Sequence, residues 1–241
     1  MTMELREADD AGALAREAAE IVAETVANHP GALVMAATGE TPMGTYAELV
    51  RQRAGGALDS SGMRIAQLDE YLGIGPEDPR SLFGWMHRAL VEPLGIGPDR
   101  VIRFDSQEPD ADLAAREYDA RIQAAGGINL AILGLGVNGH LGFNEPPSDA
   151  SSPTRTVHLS PDTLASNAAY WGDRPVPTGA ITAGMGVILS ARRILLLVSG
   201  GHKAAVLTRV LESDPDPWLP ASQLHAHPNT IVLADRTARG A

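Results

Sequence analysis

The chain has 241 residues, no cysteine and a formal net charge of -11, from 30 acidic and 19 basic residues. That length buries a full core unaided, and the missing cysteines exclude a disulfide framework, a thiolate nucleophile and any cysteine-held metal. The acidic balance argues against a nucleic-acid surface, and it requires that any attraction for an anionic ligand be local.

In chain order, Ala11–Ala27 reads as an amphipathic helix, with Leu14, Ala18, Ile21, Val22 and Val26 at three- and four-residue spacing. Ala32–Ala36 is a short buried strand, followed by a helix over Thr41–Arg53. Met63–Leu68 is a strand and Ser81–Val91 a helix. Val101–Phe104 reads as a short strand, Asp110–Ala125 as a helix and Ile128–Leu133 as a strongly apolar strand. A long loop runs through Pro153. Helix Pro161–Tyr170, a glycine-rich segment at Gly179–Leu189, strand Arg193–Val198, helix Lys203–Leu211 and strand Thr230–Ala234 complete the pattern. Alternating strands and helices predict an α/β fold, a mostly parallel sheet with helices on both faces. The strands are apolar throughout, as doubly covered strands are. No linker divides the chain, so one domain over residues 1–241 is expected. The apolar runs Ala131–Leu133 and Ile194–Val198 are far shorter than the roughly 20 residues of a membrane span. Met1–Arg6 carries no apolar leader pattern, and a cytoplasmic location is expected.

Ligands of such sheets sit at the carboxyl ends of the strands, which selects four loops. Ala37-Thr38-Gly39-Glu40-Thr41-Pro42 combines a tight-turn glycine with Thr41 as N-cap and Pro42 at the first helical position. That suits a phosphate at a helix N-terminus, and a plain capped connector also fits. Ser199-Gly200-Gly201-His202-Lys203 repeats the logic with a lysine placed against the helix dipole, as a partner for an anion or as a solvated first-turn residue. Gln67-Leu68-Asp69-Glu70-Tyr71 sets two carboxylates directly after a buried strand. Asp69 or Glu70 is there a general base, or Asp69 caps the next turn.

The loop Gly134-Leu135-Gly136-Val137-Asn138-Gly139-His140-Leu141-Gly142-Phe143-Asn144-Glu145-Pro146-Pro147 carries most of the polar chemistry. His140 with a carboxylate five residues on is suited to proton shuttling. The spacing Gly134-x-Gly136-x-x-Gly139 also satisfies the dinucleotide-binding pattern. That pattern needs a helix opening at its third glycine, which Gly142, Pro146 and Pro147 forbid, and no acid follows at the required distance.

Together, ATGETPMGTY at Ala37–Tyr46, LDEYLG at Leu68–Gly73 and LGLGVNGHLGFNEP at Leu133–Pro146 resemble the glucosamine-6-phosphate deaminase family. The likeness continues through Ile181–Ala204 to Leu224–Asp235. A related family, 6-phosphogluconolactonase, shares the fold and the Gly-His loop without the FNEP tail or the DEY pattern. The resemblance implies a Rossmann-like single-domain fold and a cofactor-free reaction: glucosamine 6-phosphate and water give fructose 6-phosphate and ammonia. It assigns Asp69 as the base moving a proton from C2 to C1, and His140 as the group that opens the ring. Glu145 and Asn138 support His140. Thr38, Gly39, Glu40, Thr41 and Lys203 hold the phosphate, with Glu70 and Gly136 among the substrate-binding residues.

An amino-sugar phosphate is the expected partner, with no nucleic acid, no membrane and a possible homo-oligomer. Two positions depart from the family pattern. Asn138 stands where some members carry aspartate, and Ala169 stands where the family often has a phosphate-binding arginine, leaving Arg174 or Arg155 as substitutes. Galactosamine 6-phosphate as substrate, lactone hydrolysis with His140 activating water, and a non-catalytic sugar-phosphate sensor are the alternative readings.

Overall fold

Side chains alternate across a strand, so a strand covered on both sides must be apolar at every position. The central strands meet that condition: Leu33, Met35, Ala131, Leu133, Ile194 and Leu196 join one buried cluster, while Val34, Ala36, Leu130, Ile132, Leu195 and Leu197 join a second. The computed structural model describes residues 3–240. Met1, Thr2 and Ala241, part of the Met1–Arg6 stretch and of the expected 1–241 span, lie outside the described residues.

The elements are β1 (Glu4–Ala8), α1 (Ala11–Asn28), β2 (Leu33–Ala36), α2 (Glu40–Ala54), β3 (Arg64–Gln67), β4 (Asp69–Tyr71), and α3 (Leu82–Met86), which runs into a π-helical turn at His87–Val91. There follow β5 (Val101–Ile102), α4 (Ala111–Ala124), β6 (Leu130–Gly134), β7 (Arg155–His158), α5 (Pro161–Trp171), β8 (Gly179–Thr182) and α6 (Met185–Leu189). The chain ends with β9 (Arg193–Val198), α7 (Ala204–Glu212), a 3-10 segment at Pro220–Ala226 and β10 (Thr230–Asp235). Helix starts follow their capping residues: Asp10 accepts from the Ala13 amide at 2.7 Å and Asp110 from Leu113 at 3.0 Å.

Seven strands form a parallel sheet in the order β1-β10-β9-β6-β2-β3-β5. From β2 the chain moves to β3 on one side, and it later returns to place β6 on the other. The strand order therefore reverses between β2 and β6, and their following loops diverge to leave a crevice. Among the described residues no helix is long and apolar enough to cross a membrane.

Three features depart from the sequence reading. β1 is an edge strand paired only to β10 and mostly exposed, so its charged sequence ELREA lacks an apolar signature. A separate three-stranded antiparallel sheet, β4-β8-β7, forms where a loop and a glycine-rich segment were expected. Its outer strand β7 is half-exposed and polar, while Gly184 leaves room for the carbonyl oxygen of Pro153, 2.0 Å from where a Cβ would stand. Third, α2 begins at Glu40 with Gly39 as its N-cap, at φ 127, so Thr41 lies inside the first turn rather than capping it. No helix opens after Gly139; the chain turns until β7.

Candidate active site

The crevice opens into a cavity of about 1000 Å³ bounded by all four selected loops. Thr38, Gly39, Glu40, Thr41, Asp69, Gly136, His140 and Lys203 line it. Asn138 and Glu145 stand behind His140, and Glu70 is turned away from the cavity.

The Thr38–Thr41 turn is fixed from below, where the Tyr46 hydroxyl donates to the Ala37 carbonyl at 2.6 Å. Lys203, also on the cavity wall, precedes α7 at the end of a glycine turn. That turn is held by Asp235 at the end of β10, which accepts from the Ser199 hydroxyl and the Gly200 amide. Burial lowers the pKa of Lys203, so an anion beside its ammonium would restore the charged form.

Asp69 is 6% exposed at the first position of β4. Burial, with the adjacent Glu70 carboxylate second, pushes its carboxyl up to about 7, and a 3.4 Å hydrogen bond from the Thr38 hydroxyl opposes the rise. An aspartate in that range is a base poised at neutrality. Its neighbour differs in kind. Glu70 is 2% exposed and accepts from the Ser81 hydroxyl at 2.7 Å and from the Leu82 and Phe83 amides at 3.0 and 2.9 Å. Gln67 donates to it at 3.1 Å. A carboxylate so engaged anchors the start of α3 and has no face toward a ligand.

The glycine-rich loop closes on itself, the Gly136 amide donating to the His140 carbonyl at 3.0 Å. The His140 ring occupies the space where a Gly136 Cβ would stand, 2.1 Å from its Cδ2. Gly142, at φ +58, passes beside Asp69, whose Oδ2 is 3.3 Å from the corresponding Cβ position. The loop thus folds over the Asp69 carboxylate.

Nδ1 of His140 is buried and faces Glu145 Oε2 at 3.5 Å, a long contact rather than a formed hydrogen bond. Asn138 ties the group together: its Nδ2 donates to the same Glu145 oxygen at 2.8 Å, and its Oδ1 accepts from the His140 amide at 3.1 Å. Burial works against ionisation of Glu145. His140 leads the neighbours that outweigh it, with Thr163 and Asn138, and the carboxyl falls to about 2.

Thr163, whose hydroxyl donates to Glu145 Oε1, escaped the sequence reading because it comes from α5, 18 residues away. Asn167 on the same helix donates to the Tyr71 hydroxyl at 2.9 Å. Arg155 and Arg174, the expected substitutes for an arginine at Ala169, are both absent from the cavity wall. Arg155 instead binds Asn144 Oδ1 at 2.8 Å and Ser148 Oγ at 2.9 Å. Arg80 and Arg88 line the cavity, and no sequence motif marked them. Among the described residues no cluster of three or more acidic or histidine side chains is arranged to hold a metal.

A family model described as glucosamine-6-phosphate isomerases/6-phosphogluconolactonase matches residues 6–233. The chain is 40% identical over 228 residues to a glucosamine-6-phosphate deaminase of Bacillus velezensis, covering 94% of this chain and 95% of that one. It is 41% identical over 238 residues to that of Streptomyces avermitilis, covering 98% and 91%. It superposes on a solved structure of a monomeric glucosamine-6-phosphate deaminase with a TM-score of 0.96, at 35% identity and covering 99% of both chains. A 6-phosphogluconolactonase from Trypanosoma brucei superposes at 0.80 with 17% identity over 99% of this chain and 98% of that one, a likeness of fold alone. A match through nearly the whole chain, and identities near 40% over that length, settle its membership: the chain belongs to the family of glucosamine-6-phosphate isomerases and 6-phosphogluconolactonases.

Proposed function

We propose that this chain converts glucosamine 6-phosphate and water to fructose 6-phosphate and ammonia. The observation that carries the reading is the pairing, on one cavity, of a buried aspartate poised near neutrality with a histidine backed by a carboxylate. The deaminase relatives at about 40% identity support the same reaction.

Opening the sugar ring requires a group that takes the proton from O1 and returns it to O5. Imidazole does both near neutral pH; His140 and His202 both line the wall, and His140 is the one with a carboxylate, Glu145, beside its ring. Glu145, ionised and held by Asn138 and Thr163, stabilises the imidazolium formed midway. Enolisation then moves the C2 proton to C1, a transfer only a positioned base performs at useful rates. Asp69 takes that role. The proton lost from C2 returns at C1. The C2 amine gives up a proton to become an imine while the aldehyde oxygen O1 takes one up to become a hydroxyl, and water adds to the imine as ammonia leaves. Lys203 and the Thr38–Thr41 turn hold the phosphate, so that remote binding energy keeps the reacting carbons in register. Glu70 is a positioning residue that fixes the chain beside Asp69.

Ammonia release coupled to fructose 6-phosphate, assayed from glucosamine 6-phosphate, tests the reading. Hydrolysis of 6-phosphogluconolactone without ammonia would overturn it. The superposable monomeric relative favours a monomer over a homo-oligomer, and light scattering on the eluting peak distinguishes them.

A further inference from the structure

A sugar phosphate brings roughly -1.5 to -2 charges, and this chain of net charge -11 must meet them locally. Among the described residues, two arginines and one lysine line the cavity: Arg80, Arg88 and Lys203. Arg80 is already engaged. Its Nε donates to Asp78 Oδ1 at 2.8 Å, Nη2 meets the other carboxylate oxygen, and its Cζ lies 4.7 Å over the Trp171 ring. Asp78 therefore cancels most of its field in the cavity.

Arg88 differs. Among the described residues it forms no ion pair, and its one side-chain hydrogen bond runs from Nη2 to the Pro79 carbonyl at 3.1 Å. Nε and Nη1 remain uncommitted. The neighbouring wall offers no positive charge, since α5 contains no basic residue, carries Asp162 in its first turn and presents Ala169 to the cavity. The two walls touch beside that alanine. Tyr170 packs on Trp85, three residues before Arg88, with ring centroids 5.9 Å apart.

We infer that Arg88, on the π-helical turn after α3, is the second cation that holds the substrate phosphate together with Lys203. The inference rests on the proposed reaction only for its substrate; the anion site itself is testable apart from turnover. Inorganic phosphate binding to the whole protein by calorimetry, and KM and kcat for glucosamine 6-phosphate, give separate readouts. Losing one charge-assisted contact costs about tenfold in affinity. Arg88→Gln should weaken phosphate binding and raise KM by about that factor, with kcat within about twofold of the parent.

Arg88→Lys should lose less, because the charge remains. Ala169→Arg introduced into Arg88→Gln should recover part of the affinity from the facing wall. Matching melting temperatures for Arg88→Gln and Arg88→Lys show that the fold is intact. Phosphate affinity and KM that stay within twofold in Arg88→Gln would overturn the inference. So would a loss confined to kcat, or a loss seen with Arg80→Gln and absent with Arg88→Gln. Arg88-dependent phosphate binding without ammonia release would remove the deaminase reading and leave this one standing.

Discussion

Asp69→Asn keeps the size of a buried side chain and removes its ability to ionise, so it separates catalysis from stability. The carboxyl is raised from 3.8 to about 7, chiefly by burial. In the unfolded chain it gives up its proton near 3.8, whereas in the folded chain it keeps it until about 7. Between those values the unfolded state binds fewer protons, so stability falls as pH rises and the loss is complete above about 7. At about 1.36 kcal/mol per pH unit, the ceiling on that loss is about 4 kcal/mol. Local relaxation and water entry reduce it, and about 2 kcal/mol is the expected effect.

The asparagine variant lacks this slope. Urea unfolding of both proteins from pH 4 to pH 8 should therefore show the variant gaining about 2 kcal/mol over the parent across the range. Only the change with pH is compared, which removes any constant difference between an amide and a protonated acid. Ammonia release by the variant should fall on the order of 10³-fold. In the parent, kcat/KM should decline on the acid side with an apparent pKa near 7. A stability gap that does not vary with pH would refute the burial argument, and near-normal turnover would remove Asp69 as the base.

Glu145→Gln takes away the carboxylate 3.5 Å from His140 Nδ1; kcat should drop on the order of 10²-fold with KM little moved, and a change in KM alone would count against the pairing. Gly136→Ala places a Cβ 2.1 Å from the His140 ring. The ring must shift, and displacement of about 1 Å costs about 10²-fold in turnover; unchanged kcat would show that the ring position is not critical. Glu70→Gln leaves the backbone amides of Leu82 and Phe83 with a weaker acceptor, for an expected loss of about 2 kcal/mol by denaturant titration. An unchanged stability with a raised KM would instead assign Glu70 to the substrate.

The sequence located the four loops because each follows a short strand, three of them continuous apolar runs and the fourth, Met63–Leu68, interrupted by Arg64 and Gln67; a strand buried on both sides leaves its chemistry at its end. It could not separate Asp69 from Glu70. Adjacent positions on a strand face opposite ways, and only the pairing of β4 with β8 decides which one meets the cavity. The small antiparallel sheet was illegible for a related reason: its strands of three or four residues are specified by partners distant in sequence rather than by their own periodicity.

By itself, then, the sequence determined the parallel sheet, the helices that cover it and the glycine loop that carries His140, since local pattern and burial suffice for those. Tertiary structure decided the rest. Thr163 reaches Glu145 only when α5 packs over the loop. Arg155, a candidate on charge alone, turns to Asn144 and Ser148, while Arg88 faces the cavity from a helix with no motif at all. Charge is written in the residues of a chain; whether it is free to meet a ligand depends on which neighbours folding brings within reach.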